Sequence, residues 1–164
     1  MLRIAFQRAC SIAEWAEGKA TTVRGVSGVY SVMWPDGLDP VFLPRSRAGQ
    51  WKRRDPTIPL DRLQARWIPG ASILYIGAGE NVKTRIDLLV QFGSGVPAMH
   101  WGGRGMWQLK DIGAAGILWS ATPHDCERCV ENELLQEFHA EHGRFPFANL
   151  QGPRRHPKCR RGKA

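Results

Sequence analysis

Two charged side chains fall where a folded chain does not ordinarily put charge. A helix is predicted from Cys126 to His142, with Val130, Leu134, Leu135 and Phe138 on one face and Gly143 as its stop. At about 100° per residue Glu131 falls inside that apolar stripe, whereas Glu133 and Glu137 fall outside it. A second helix, after Asn81, carries Val82, Ile86, Leu89 and Val90 at the same spacing, and Arg85 projects into its apolar arc. A carboxylate turned toward a core is costly unless it is paired or holds a cation. A divalent cation on Glu131 would polarise a phosphodiester and stabilise the leaving oxygen, and Arg85 would neutralise charge in the transition state. Tyr30 and Tyr75, at the ends of two predicted strands, are placed to line the same site.

The elements that position these residues follow from pattern and punctuation. Val26 to Trp34 is β-branched and aromatic between Gly25 and Pro35-Asp36-Gly37, which marks a buried strand. Ile73 to Ile76 is a second apolar strand that stops at Gly77-Ala78-Gly79, with those glycines expected to turn the chain into the Arg85 helix. Ala114 to Ser120 is a third. Leu2, Phe6, Ala9, Ala13 and Ala16 stand at near-helical spacing before Gly18, so residues 2–17 are expected to form an N-terminal helix. A short helix is expected from Pro59 to Trp67.

A strand followed by Gly-Ala-Gly and a helix also suggests a nucleotide cradle. That reading fails on its own terms: Val82 stands where a third small residue is needed, and no acid occurs between Leu88 and Lys110. Cys126 and Cys129, with His124, His139, His142 and Cys159, invite a zinc site, but no second pair has the compact spacing such sites use.

With 164 residues and 18.4 kDa the chain suits one domain, and 43% hydrophobic against 23% charged content is ordinary for a globular protein. No run approaches a spanning helix, and Arg8 and Glu14 interrupt the N-terminal apolar pattern, so a cytoplasmic location is expected. Four cysteines at uneven spacing do not read as a disulfide framework. The net charge of +8 and pI near 9.9 suit a polyphosphate partner. Between Arg45 and Arg66 seven Lys or Arg face only Asp55 and Asp61, with Trp51 and Trp67 among them. That segment suits either a phosphate-tracking, base-stacking groove or a solvated loop whose tryptophans return to the core. Arg45, Arg47, Lys52, Arg53 and Arg54, together with Lys83 and Arg104, are the candidate nucleic-acid contacts.

Gly28-Val29-Tyr30 and Tyr75-Ile76-Gly77 resemble the paired tripeptides of the GIY-YIG nuclease family, and Asn81, Arg85, Glu131 with Leu134 and Leu135, Gly143, Pro146 and Asn149 resemble the rest of its pattern in order. The resemblance implies an α/β (α+β type) fold with a small mixed, largely antiparallel three-stranded sheet flanked by helices. The resemblance runs over 25–150, a nuclease domain with a basic Pro-rich insertion at 35–70; the spacing before it predicts an N-terminal helix within 1–24 that packs on the domain, and a basic tail follows over 151–164. The resemblance implies endonucleolytic hydrolysis of DNA, branched or damaged DNA included, with one Mg²⁺ or Mn²⁺ on Glu131 and Arg85 on the scissile phosphate. Tyr30 would orient or deprotonate the attacking water, Tyr75 would support it, and Asn149 would brace the site. Many members carry a histidine one turn after the arginine; that position is Leu89 here, and His100 is the candidate replacement. The rival reading keeps the fold as a catalytically idle nucleic-acid-binding module.

Overall fold

Val29 and Ile76 sit on one side of a sheet and Tyr30, Val32 and Tyr75 on the other, and the two sets are covered by different helices. The computed structural model describes residues 4–19 and 22–153. Its strands are β1 (Gln7–Ser11), β2 (Gly28–Met33), β3 (Ile73–Gly79) and β4 (Gly116–Ala121), and its α-helices are α1 (Ile12–Ala16), α2 (Leu60–Gln64), α3 (Val82–Gly93) and α4 (Glu127–His142). Two 3-10 helices, Trp101–Gln108 and Ile112–Ala114, precede β4.

The expected class holds, an α+β arrangement with helices flanking an antiparallel sheet. The sheet has four strands rather than three, in the order β1-β4-β2-β3, and every pair is antiparallel rather than mixed. The additional strand comes from the N-terminus. Residues 7–11 do not extend a helix but pair with β4 along one edge, and only Ile12–Ala16 is helical. Tertiary pairing overrides the alanine spacing. Ser11 begins the helix with a capping box: its Oγ accepts from the Glu14 N–H at 3.2 Å, and its own N–H donates to Glu14 Oε2 at 2.7 Å. Trp15 then donates to Asp87 Oδ1 at 2.9 Å, which ties α1 to α3.

Gly77 and Gly79 do not turn the chain. Both lie within β3, opposite Tyr30 and Gly28 of β2, so no phosphate-cradling loop exists there. Gly77 is required by a close approach: a Cβ at that position would lie 2.6 Å from Tyr30 Cζ. The first tripeptide's tyrosine therefore lies across the second tripeptide's glycine, a cross-strand pairing that seats a ring on a bare backbone. Entry into α3 is handled by Asn81, whose Oδ1 accepts from the Thr84 N–H at 3.0 Å.

The helix α4 ends at Gly143 in the left-handed region (φ 70°), as expected of a C-terminal glycine. Val130, Leu134 and Leu135 of α4 cover Val29 and Ile76. In the insertion, the expected helix is shorter, Leu60–Gln64 with Pro59 as its cap. Trp67 returns to the core, meeting Trp34, Phe42 and Phe147 edge-on with ring centroids 5.9, 5.8 and 5.4 Å away. It is not available to stack on a base. No helix among the described residues is long and apolar enough to cross a membrane.

Candidate active site

A cleft of ≈ 510 Å³ brings together Tyr75 from β3, Arg85 from α3, Trp101 and Arg104 from the first 3-10 helix, Glu131 from α4 and Asn149 beyond it. Tyr30 and His100 stand behind this wall, both fully buried, with the Tyr30 hydroxyl 2.7 Å from His100 Nε2. The tyrosine rings lie 5.9 Å apart and Tyr75 meets the His100 ring edge-on at 5.6 Å, so the three form one packed group. Six of the predicted site residues, from positions 30, 75, 85, 100, 131 and 149, are thus neighbours in space.

Electrostatics assigns these groups different states. Burial pushes the Glu131 carboxyl up to about 7, against the weaker opposing pull of Arg128 and Arg85, and Glu127 adds to the rise. Burial likewise raises Tyr75 to about 12, with the Glu131 charge second. Tyr30 is raised well above the ordinary tyrosine range, first by burial, then by Tyr75. Arg85 lowers both tyrosines but does not offset their desolvation. Burial, then the Arg85 charge, lowers His100 to about 3. At neutral pH both phenols are therefore protonated and the imidazole is neutral. These groups orient by hydrogen bonding; neither phenol is an ionised base in the unliganded site.

Arg85 Nη1 donates to the Met99 carbonyl at 2.9 Å, which holds the loop before His100. Among the described residues Arg85 and Glu131 form no ion pair with each other, so the two do not neutralise one another as a structural pair would. Glu131 also has no hydrogen-bonded partner there. A carboxylate of this kind fits a hard divalent cation, because Mg²⁺ is commonly held by one or two carboxylates and keeps water in its remaining positions. Mn²⁺ shares that preference for oxygen donors. Glu131 is the residue that would hold it.

Asn149 braces the site through the free side of β3. Its Oδ1 accepts from the Ile76 N–H at 2.9 Å and its Nδ2 donates to the Ile76 carbonyl at 2.8 Å, while the Ala148 N–H donates to the Leu74 carbonyl at 2.8 Å. Asn149→Ala strands two buried backbone groups and is expected to cost about 2–4 kcal/mol. Urea unfolding measures this, and an unchanged midpoint would remove the bracing role.

Sequence reasoning missed two contributors. Glu127 is 8% exposed, accepts a 3.3 Å hydrogen bond from Ser27 Oγ, and raises the Glu131 carboxyl. The projection that exposed Glu131 also places Glu127, at about 60°, inside the apolar stripe. Arg66 donates to the Phe147 and Asn149 carbonyls, each at 2.9 Å, and so fixes the segment carrying Asn149. No local signal in the sequence indicates that role.

Of the candidate nucleic-acid contacts, Arg104 lines the cleft. Lys83 lies elsewhere, paired with Asp87 at 3.1 Å and over the Trp15 ring. Arg45, Lys52, Arg53 and Arg54 are exposed on the insertion, and the Trp51–Arg54 turn holds Lys52 and Arg53 at positive φ (50° and 61°). Arg47 instead donates to the Leu109 and Lys110 carbonyls at 3.0 and 2.7 Å, which anchors the insertion. Leu89, one turn after Arg85, is buried in the core. Cys129 is disulfide-bonded, which withdraws a thiolate that zinc would need and departs from the expectation that the cysteines form no disulfide framework. Most of the basic tail, residues 154–164 with Cys159, lies outside the described residues.

Compared with known proteins, the chain matches no family model, no curated protein and no solved structure.

Proposed function

We propose that the protein is a divalent-metal-dependent endonuclease that hydrolyses DNA phosphodiesters, in keeping with its resemblance to the GIY-YIG family. The observation that carries the proposal is the cleft itself: an unneutralised, half-buried Glu131 carboxylate faces the same space as the Arg85 guanidinium and the Tyr75 hydroxyl. Glu131 would bind the metal. When bound, Mg²⁺ or Mn²⁺ supplies Lewis-acid stabilisation of charge on the phosphodiester and its leaving oxygen.

The chain's own residues do the rest. Arg85, its loop-side nitrogen committed to Met99, directs its positive charge at a phosphate in the cleft and favours the transition state, where that charge is greatest. Tyr75 meets the attacking water directly and orients it. Tyr30, hidden behind it, acts by fixing Tyr75 and by its bond to His100. His100 and Tyr30 hold one another by that hydrogen bond, and with the imidazole lowered to about 3 and the phenol raised well above its ordinary value the proton stays on the phenol, so the pair positions Tyr75 rather than relaying a proton. Asn149 keeps β3 in place beneath these groups.

Supercoiled plasmid incubated with the protein and Mg²⁺ or Mn²⁺ is expected to be nicked or linearised, and EDTA to stop it. Binding without any cleavage would overturn the nuclease reading in favour of an idle binding module. The exposed cations of the insertion are expected to contact flanking phosphates. Replacing Arg45, Lys52, Arg53 and Arg54 together should weaken binding and flatten its logarithmic salt dependence by about 3–4 units, whereas an unchanged slope would make them ordinary solvated charge.

A further inference from the structure

Of the two tryptophans in the basic insertion Trp67 is packed into the core and Trp51 is part-buried beside Lys52, and a further aromatic ring stands in the wall of the cleft. Trp101 and Arg104 both line that wall, with the guanidinium carbon 4.6 Å from the indole centroid and Arg104 Nη1 donating to the Trp101 carbonyl at 3.3 Å. Phe92 supports the indole edge-on at 6.5 Å. The chain leading into Trp101 is held twice, at the Met99 carbonyl by Arg85 and at the His100 side chain by the Tyr30 hydroxyl. Gly102, which follows, has no side chain to separate the indole from the Tyr75 hydroxyl; a Cβ there would lie 3.6 Å from that oxygen.

We propose that the Trp101–Arg104 stack is a subsite for one unstacked nucleobase beside the scissile phosphate, so that the preferred substrate is DNA with an unpaired nucleotide at the cut. In a fully paired duplex both faces of each base are covered by its neighbours, and an indole recessed in a cleft can meet a base face only when the base has left the stack. The cleft, ≈ 510 Å³, lies within the roughly 300–1,000 Å³ range of pockets that enclose a small-molecule-sized group. Arg104 adds a second flat surface and a charge that no acid neutralises among the described residues; burial, then the nearby Arg66, lowers its affinity for its proton, a cost that a phosphate relieves. Met99, apolar and 61% exposed although its backbone is fixed, stands next to this subsite and is suited to fill the gap that an extruded base leaves.

The inference rests on the nuclease reading for its meaning but is tested by binding alone. Metal-free protein carrying Glu131→Gln is titrated into labelled duplexes of one sequence: fully paired, with one unpaired adenosine, and with an abasic residue in place of that adenosine. The unpaired adenosine is expected to bind about tenfold more tightly than its abasic counterpart. Trp101→Ala should bring that ratio close to one, and Trp101→Phe should keep most of it. Equal binding of the adenosine and abasic duplexes overturns the subsite, as does a ratio that survives Trp101→Ala. Tight binding of every duplex without preference would remove only the subsite and leave the nuclease reading intact. Failure to bind any of the three would remove both.

Discussion

Glu131→Gln is expected to abolish phosphodiester cleavage and, above pH 7, to make the protein more stable. The folded carboxyl titrates at about 7 against an ordinary value of 4.5. Below about pH 4.5 the group is protonated whether the chain is folded or unfolded, and it does not distinguish the two states. As the pH rises from there to 7, the unfolded chain releases a proton that the folded chain retains, so stability falls across this window. Above pH 7 the full cost is present. The side chain still reaches solvent through the cleft, so that cost is about 2 kcal/mol, or roughly 4–8 °C in melting temperature for a chain of this size. Glutamine keeps the shape and removes the charge. Melting curves at pH 4 and pH 8 should therefore nearly coincide for the two proteins at the lower pH and separate at the higher, with Mg²⁺ raising only the wild type. Cleavage should fall by about 10²-fold or more. Equal melting at pH 8 would mean that the carboxylate is already satisfied, and a variant that still cut DNA would remove Glu131 as the metal ligand.

Gly77→Ala is expected to destabilise the protein by about 3 kcal/mol and to reduce activity beyond the loss of folded material. The added methyl would enter the Tyr30 ring, 2.6 Å from Cζ and 2.7 Å from the hydroxyl oxygen. That ring is fully buried and bonded to His100, so it has nowhere to go without surrendering the bond. Combining Gly77→Ala with Tyr30→Leu tests the cause, because a smaller side chain opposite position 77 should recover part of the lost stability. Strictly additive effects in urea unfolding would show that the crossing of ring and backbone is not the reason.

The helices α3 and α4 and the strands β2 and β3 follow from local periodicity, because each buries one face or both and its sequence repeats accordingly. Arg85 and Glu131 were readable for the same reason, as exceptions to a regular pattern. The N-terminal strand was not: Ala9, Ala13 and Ala16 fit a helical spacing, and only pairing with distant β4 decides against it. Ser11 and Glu14 did carry a local signal, a capping box that marks where the helix begins. Gly77 misled because a glycine that admits a ring and a glycine that permits a turn are the same residue in a sequence. The contacts of His100 with Tyr30 and of Arg66 with the Asn149 segment join positions far apart in the chain, and no periodic pattern encodes such pairs.

The side chain of Asn149 presents one acceptor and one donor to Ile76 at the spacing of a peptide group. In doing so it occupies the place of a fifth strand beside β3 without being one. An amide side chain cannot propagate a ladder, so addition of another chain's strand is blocked at the edge next to the cleft. On the opposite edge, β1 pairs only with β4 among the described residues. Any assembly by strand addition is thereby directed to β1, at the opposite end of the sheet from β3, and leaves the cleft beside β3 uncovered.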